Sequence, residues 1–256
     1  ATMPKNKKKR RRRGGLSRLL RPLSVLLAAV AVVAALTMFF KVETIEVIGA
    51  GRYTANEIIT ASGVETGDNL ILLDRYRIAQ RIYTALPYIT DVRPKQSFPS
   101  TLQIEVVETK TAAAIQGAGG WWLVNTGGKL LEVVDASAAA DYLQIIGRQA
   151  VEPAVSAPLA LPESSPITAS RLLELLSALD EQGVLNRADR IDCSDPGILI
   201  LEYDGRFRVE LLYDADFPFK IAGLRQIAEE VLEPNETGTL RMTYENNDVH
   251  LIPDAQ

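Results

Sequence analysis

The residues that most often do chemistry are scarce in this chain. His250 is the only histidine and Cys193 the only cysteine, so a His/Cys metal set or a Cys-His dyad cannot be assembled. A Ser-His-Asp triad would have to use His250, and the sequence has no G-x-S-x-G turn to present a serine. Asp192 and Asp195 are close in sequence, but Asp195-Pro196-Gly197 is typical of a turn. No carboxylate pair stands out for glycoside hydrolysis, so we expect no enzymatic activity and no cofactor.

The single cysteine also excludes an internal disulfide framework. We interpret Cys193 as a small apolar filler near a strand start and not as a reactive thiol. A chain of 256 residues with 47% hydrophobic content can be stabilised by its core and is long enough for one or two domains.

A strongly basic segment opens the chain. Residues 1–22 hold ten of the 28 basic residues and no acid. Seven of them form a continuous run: Lys7, Lys8, Lys9, Arg10, Arg11, Arg12 and Arg13. Such a run is also found in nuclear-import and nucleic-acid-binding tracts. Because an apolar stretch follows closely, we interpret it as a topology signal that stays in the cytoplasm beside anionic lipid, with no nucleic-acid partner.

Residues 23–40 carry no charge and predict a transmembrane helix. At 1.5 Å per residue, 18 residues span about 27 Å, close to the roughly 30 Å hydrocarbon core of a bilayer. A cleaved signal peptide is the alternative, but its apolar core is shorter and ends at small residues. Here the run ends on Thr37-Met38-Phe39-Phe40, which favours an uncleaved anchor. The sequence therefore predicts a single-pass type II membrane protein, with a cytoplasmic tail (1–22) and the chain from Lys41 outside.

Residues 41–110 predict a small unit in the order β-α-α-β-β. A β-branched run at 42–48 indicates a strand, and Thr54 and Glu57 form a capping box before a helix that ends at Gly63. Asp74 can cap a second helix, whose apolar stripe is Ile78, Ile82 and Leu86. Two strands follow, at 89–94 and at 101–106, where apolar and polar residues alternate.

This order, directly after an anchor helix, resembles the POTRA domain of the bacterial cell-division proteins FtsQ and DivIB. The family ends that domain with an aromatic-Pro pair, alternating apolar residues, a Glu and an Ala. The matching residues here are Phe98-Pro99, Leu102, Ile104, Val106, Glu108 and Ala112. Phe98 stands where Trp is more usual. We expect Phe98 to be buried as a plug between the sheet and the helix that carries Ile78 and Ile82.

Residues 111–252 predict a larger, mainly antiparallel β domain with helices packed on it, so that the whole chain is of the α+β class. Asp204-Gly205 is a strong hairpin signal, and the neighbours Trp121 and Trp122 should point to opposite faces of a strand. The other predicted features are a hairpin at 121–132, a Pro-rich loop at 148–166, a helix capped by Thr168, a helix marked by Ile221, Leu224, Ala228 and Val231, closing strands at 239–244 and 249–252, and a short tail at 253–256. The family resemblance continues here but is looser, since Leu143-Gln144, Leu212 and Arg241 depart from its usual residues.

The resemblance implies a scaffold that links early and late division proteins at the septum and helps control septal peptidoglycan synthesis. It implies FtsB/DivIC-like and FtsL-like membrane partners, the lipid bilayer, and no small-molecule substrate. The family receives FtsB/DivIC at its last strand, so the partner-binding residues implied here are Tyr244, Asp248, Val249, His250, Leu251 and Ile252. In that strand Val249 and Leu251 should share one face and His250 the other. The alternatives are a POTRA-containing secretion or chaperone factor that binds exported polypeptides, and a wall-active enzyme.

Overall fold

The computed structural model describes residues 16–233, 235–243 and 249–253. In the first helix, side chains are described for residues 22–35, 38 and 39. The basic run 7–13, Tyr244 and Asp248, which the sequence assigns to topology and partner binding, lie outside the described residues.

The described part of the chain begins with a long helix, α1 (Leu16–Phe39), which contains Pro22. Its described apolar side chains are strongly exposed, as Val25 (69%), Leu27 (70%) and Met38 (74%) illustrate. Within the described residues, none of the helices has both the length and the apolar character that crossing a membrane requires. The chain leaves α1 at Phe40 and enters the first folded unit.

The first unit is a three-stranded sheet covered by two helices, in the predicted order β-α-α-β-β. Its elements are β1 (Thr44–Ile48), α2 (Ala55–Ser62), α3 (Arg75–Ala85), β2 (Ile89–Ser97) and β3 (Thr101–Glu108). The sheet order is β1-β3-β2, with β1 parallel and β2 antiparallel to the central β3. Ile58, Ile78 and Ile82 from the helices pack with Leu102 and Ile104 of β3 in one core.

Short-range sequence rules locate the ends of these helices correctly. The Thr54 hydroxyl accepts a hydrogen bond from the Glu57 amide (3.3 Å), and the Glu57 carboxylate accepts one from the Thr54 amide (2.8 Å). Gly63 ends α2 at φ +65°, a conformation that glycine adopts without steric cost. Asp74 caps α3 by accepting from the Arg77 amide at 3.1 Å. The capping box and both caps are confirmed.

The predicted burial of Phe98 is wrong. Its side chain is 59% exposed in the turn between β2 and β3, where its ring meets that of Phe40 edge-on. The inward face of β3 is already filled by Leu102, Ile104 and Val106, all buried, and Ile82 packs against that face. Because Phe98 precedes the strand, the alternation that drives those residues inward does not include it.

The second unit is built on one mixed sheet of nine strands, in the order β12-β11-β10-β9-β8-β7-β4-β5-β6. Among the described strands, three neighbouring pairs are parallel (β4 with β7, β7 with β8, β10 with β11) and the other five are antiparallel. The strands are β4 (Ala113–Gly117), β5 (Gly120–Val124), β6 (Leu130–Val134), β7 (Gln144–Ala150), β8 (Ala188–Asp192), β9 (Ile198–Tyr203), β10 (Phe207–Leu212), β11 (Gly238–Arg241) and β12 (His250–Pro253).

Two local predictions hold in this sheet: the hairpin turn at Asp204-Gly205 and the opposite orientations of Trp121 and Trp122. Asp204 and Gly205 join β9 to β10 with φ +59° and +61°, the positive values that a type I′ turn requires. Trp122 is buried and donates from Nε1 to the Ala118 carbonyl at 2.9 Å, whereas Trp121 is half-buried in a separate small cluster. The two tryptophans therefore point to opposite faces.

Helices pack on the large sheet. The main core lies under α5 (Ala169–Glu181) and α6 (Phe217–Gln226), which a π-helical turn (Ile227–Val231) continues. The short α4 (Ala136–Ala139) lies on the other face, where Ala139 joins the small cluster of Leu123 and Leu131. Ile221 and Leu224 are buried, and Ala228 almost fully so, but Val231 is 68% exposed and its predicted place on the apolar face is wrong. A π-turn holds more residues than an α-turn, so the residue three positions after Ala228 no longer returns to that face.

Candidate partner-binding edge

The last strand lies at one end of the nine-stranded sheet. Among the described residues β12 pairs with β11 alone, antiparallel, with Arg241 opposite His250 and Thr239 opposite Ile252. In an antiparallel pair, alternate residues turn both backbone groups toward the partner strand and the residues between turn them outward. Among the described strands none lies on the outer side of β12, which is the side that an added strand would occupy.

The side chains of β12 alternate as predicted, and the structure shows which face is which. Val249, directly before β12, and Leu251 are partly buried and pack against the main core of the second unit. His250 and Ile252 are exposed, Ile252 at 45%. An incoming strand would thus meet an edge that Val249 and Leu251 hold on the core. The exposed side chains beside it are those of His250 and Ile252.

A glycine keeps the edge strand close to the sheet. Gly238 of β11 has φ +149°, and a Cβ at this position would lie 2.4 Å from the Ile252 carbonyl oxygen. Any larger residue would push β12 away from β11. Leu240 and Met242, both almost fully buried, hold this part of the chain on the core.

Ion pairs between strands cover the outward face next to the edge. Arg241 donates to Glu210 at 2.9 Å between β11 and β10, and Arg208 lies 4.0 Å from the same carboxylate. Farther along the sheet, Arg190 pairs with Glu202 at 3.5 Å. This face is polar and solvated, so we expect partner affinity to come from the edge itself.

The first unit attaches at the opposite end of the sheet. Lys129, only 5% exposed, donates from Nζ to the carbonyl oxygens of Tyr83 and Ile89, both at 2.9 Å. Its ammonium also lies 3.4 Å from the centre of the Tyr83 ring. Burial lowers the pKa of Lys129 to about 8. One buried cation therefore joins α3 and β2 of the first unit to the start of β6.

A second contact lies beside it. Glu132 of β6 accepts from Arg52 at 3.2 Å and from the Tyr88 hydroxyl, and the Arg52 guanidinium stacks 3.7 Å from the Tyr88 ring centre. Burial and the hydrogen bond to Glu132 raise the pKa of Tyr88 to about 12. The Tyr88 ring joins an apolar cluster that includes Leu123 and Leu131 of the second unit.

These contacts place the first unit far from the candidate edge. Strands β6 and β12 are at opposite ends of the nine-stranded sheet. At about 4.8 Å per strand, eight spacings separate them by roughly 38 Å. The first unit therefore leaves β12 uncovered.

Glu108, part of the family-like pattern in the sequence, joins the end of β3 to the turn after β1. Its carboxylate accepts hydrogen bonds from the amides of Gly51 (3.1 Å), Arg52 (2.7 Å) and Tyr53 (3.2 Å). Partial burial acts to raise the pKa of this carboxyl, but the three amides and the Arg52 charge outweigh it and hold the pKa below its usual range. Glu108 thus fixes the turn after β1 beside the junction.

The residues considered for chemistry have structural roles. Asp195 accepts from the amides of Gly197 and Ile198, as expected for a turn, and Asp192 accepts from the Ser194 amide. Cys193 is buried directly after β8, not at a strand start, and burial raises the pKa of its thiol to about 12. A protonated, buried thiol is a poor nucleophile.

Sequence reasoning missed Lys129 and Glu132 as junction residues. Both lie in a hairpin that was correctly predicted, but nothing in the local pattern shows that a second unit packs there. A lysine between Gly128 and Leu130 in the sequence reads as an ordinary strand end.

Comparisons with known proteins agree with this architecture. Residues 40–109 match the family model described as POTRA domain, FtsQ-type. The chain is 28% identical over 165 residues to the cell division protein FtsQ of Corynebacterium glutamicum, covering 63% of this chain and 73% of that protein. It is 28% identical over 153 residues to FtsQ of Geobacter sp. (strain M21), covering 60% and 53%. It is 31% identical over 118 residues to FtsQ of Mycobacteroides abscessus, covering 44% and 37%.

Proposed function

We propose that this chain, a member of the FtsQ/DivIB family of bacterial cell-division proteins, is a bitopic membrane scaffold of the division machinery. In this proposal it links early and late division proteins and helps control septal peptidoglycan synthesis through protein contacts, without catalysis. The observation that carries the proposal is β12, an edge strand that the core holds on one face and that the first unit leaves uncovered.

The membrane part of the proposal rests on the sequence before the folded units. The uncharged run 23–40 lies within and directly after α1, and ten basic residues precede it without an acid. Flanking basic residues set orientation, so the tail with Lys7 to Arg13 stays in the cytoplasm and the POTRA and β domains lie outside. Replacing Lys7 to Arg13 by neutral residues should scramble this topology, measured as accessibility of the large domains to protease in wall-stripped cells.

The binding part of the proposal is strand addition at β12. A partner segment in extended conformation adds to the sheet as a tenth strand, with backbone hydrogen bonds supplying affinity and alternate side chains supplying specificity. We propose that the segment belongs to an FtsB/DivIC-like protein and that an FtsL-like protein accompanies it. Candidate contact residues are those of the last strand and its approach: Tyr244, Asp248, Val249, His250, Leu251 and Ile252.

Proline scanning of β12 tests this proposal. Since outward and inward amides alternate, Val249→Pro and His250→Pro between them remove one amide of each kind. At least one of the two variants should lose capture of the division partners from solubilised membranes, and Tyr244→Ala should show whether that side chain contributes. Val133→Pro, at an exposed residue of the opposite edge strand β6, is the matched control.

The outcomes are separable. Loss of capture at β12 with normal capture by Val133→Pro supports the proposal. Undiminished capture by Val249→Pro, His250→Pro and Tyr244→Ala, each shown to be folded by its unfolding transition, would move the site away from β12. A fluorescent fusion tests the cellular role independently: the scaffold concentrates at midcell in dividing cells, whereas a secretion factor distributes around the envelope.

A further inference from the structure

Five apolar side chains are exposed where the chain passes from α1 into the POTRA domain. They are Met38 (74% exposed), Phe39 (67%), Ile71 (46%), Leu72 (75%) and Phe98 (59%). We call this set the apolar tip. Three separate segments contribute to it: the end of α1, the loop before α3, and the β2–β3 turn.

Aromatic contacts connect the turn to the end of α1. The rings of Phe39 and Phe40 meet edge-on with centroids 5.1 Å apart, and those of Phe40 and Phe98 with centroids 5.4 Å apart. The amide of Glu43 donates to the Ser100 carbonyl at 2.8 Å, which ties the same turn to the chain after α1. Phe98 therefore stays within one side chain's reach of the helix end.

Backbone hydrogen bonds hold the loop on the other side. The Leu70 amide donates to the Phe40 carbonyl at 2.8 Å, and Lys41 pairs with Asn69 as an antiparallel bridge. The Asn69 side chain accepts from the amides of Ile71 (3.0 Å) and Leu72 (3.2 Å), which fixes the loop with its two aliphatic residues exposed. The segment 40–43 thus runs between Phe98 on one side and Ile71 and Leu72 on the other.

We infer that the apolar tip lies in the lipid–water interface of the outer leaflet and seats the POTRA domain on the membrane. This inference rests on the proposed anchor: if 23–40 spans the bilayer, Phe39 and Phe40 lie at its outer boundary. Phe98, Ile71 and Leu72 are then held at the same level by the contacts to Phe40. Phe and Leu are typical of the apolar face of segments that lie in that interface, and apolar side chains gain by leaving water.

Continuity decides for lipid over a protein partner. The exposed apolar surface of α1 runs through Met38 and Phe39 directly into the tip. The bilayer that receives α1 therefore already reaches the tip, and no further component is needed to cover it. A second copy of the chain or another membrane helix would have to displace that lipid.

The inference also sets the orientation of the outer domains. Thr101, at the start of β3, lies next to the tip, and Glu108, at its end, lies next to the junction with the β domain. Seven residue steps of about 3.3 Å put the junction roughly 23 Å above the tip. The POTRA domain would stand upright on the membrane and hold the β domain away from the surface.

Depth-dependent quenching tests the inference in the full chain. The buried Cys193 is replaced by alanine, and single cysteines carrying an environment-sensitive fluorophore are placed by Leu72→Cys, Phe98→Cys, Val30→Cys and Val107→Cys. Val107 is a matched control, since it is 52% exposed but lies at the far end of β3. Each variant is reconstituted in phosphatidylethanolamine–phosphatidylglycerol vesicles and quenched by nitroxide lipids or by aqueous iodide.

Probes at Leu72 and Phe98 should be quenched by shallow nitroxide lipid at least about twofold more than the probe at Val107. Equal quenching at the three positions, with iodide reaching all of them, would overturn the inference. The probe at Val30 separates this from failure of the anchor: deep nitroxide lipid quenches it if α1 spans the bilayer. If protection of the Leu72 and Phe98 probes from iodide depended on the density of protein in the vesicles, a second copy of the chain would be covering the tip. The inference would then be wrong.

Discussion

The ring of Phe98 packs edge-on against that of Phe40, with centroids 5.4 Å apart and planes 84° apart. The aromatic side chain in the turn before the last strand of the POTRA domain therefore packs against the end of α1 and not in the domain core. Its position makes Phe98 a surface residue whose environment depends on what lies at the end of α1.

Because most of its surface is exposed, Phe98→Ala should change the free energy of unfolding by less than about 1 kcal/mol. Ile82→Ala, at a fully buried site in the same domain, should cost about 2–5 kcal/mol. Chemical denaturation of the full chain in detergent compares the two. A cost for Phe98→Ala as large as that for Ile82→Ala would contradict the exposed position.

The sequence predicts those elements of both units that depend on local chemistry. The Thr54–Glu57 capping box, the Asp74 cap and the Asp204-Gly205 turn each need only neighbouring residues, and all three are confirmed. The position of Phe98 depends on which residues, distant from it in sequence, fill the core. Alternation along β3 gives the inward residues, but it carries no information on the turn that precedes the strand.

Glu108 should contribute to stability in a pH-dependent way. Glu108→Gln weakens acceptance from three amides and should cost about 1–3 kcal/mol at neutral pH. The pKa of Glu108 is lower in the folded than in the unfolded chain, so its contribution is present above about pH 4.5 and is lost as the pH falls through the folded value. Unfolding curves of wild type and variant should therefore converge in acid.

Glu105→Gln is the control for this prediction. Glu105 pairs with Lys95 at 2.5 Å on the surface of the same sheet, and such pairs contribute about 0–1 kcal/mol. A loss for Glu105→Gln equal to that for Glu108→Gln, or a difference at Glu108 that does not shrink as the pH is lowered, would show that the amide contacts are not the cause.

Lys129 should make stability rise with pH in the alkaline range. Burial lowers its pKa from 10.5 to about 8, so between these values the unfolded chain binds more protons than the folded chain. Stability from this group then increases by up to about 3 kcal/mol as the pH rises through that window. The carbonyls of Tyr83 and Ile89 and the Tyr83 ring favour the charged form and keep the gain below that figure.

The measurement is the unfolding transition of wild type and Lys129→Met between pH 7 and 10 (roughly, the span over which a lowered lysine pKa acts). The wild-type transition should move upward relative to that of the variant across this range. Parallel curves would mean that Lys129 titrates like a solvated lysine and does not form the buried link between the domains.

The junction and the mixed sheet could not be predicted from the sequence. Strands β4, β7 and β8 are held by parallel pairings between distant segments, for which a local pattern gives no register. The candidate site was predicted in part: the alternation of Val249, His250 and Leu251 was evident, but only the packing of Val249 and Leu251 on the core shows which face is outward. Lys129 and Glu132 became recognisable only once both domains were in place.

Amide hydrogen exchange tests most directly whether β12 receives a partner strand. The full chain in detergent is measured with and without the extracytoplasmic segment of the FtsB/DivIC-like protein from the same organism. We expect slower exchange in the peptide that covers residues 249–253, with little change at the opposite edge strand β6. Unchanged exchange at 249–253, with protection appearing in the POTRA domain or at β6 instead, would contradict it.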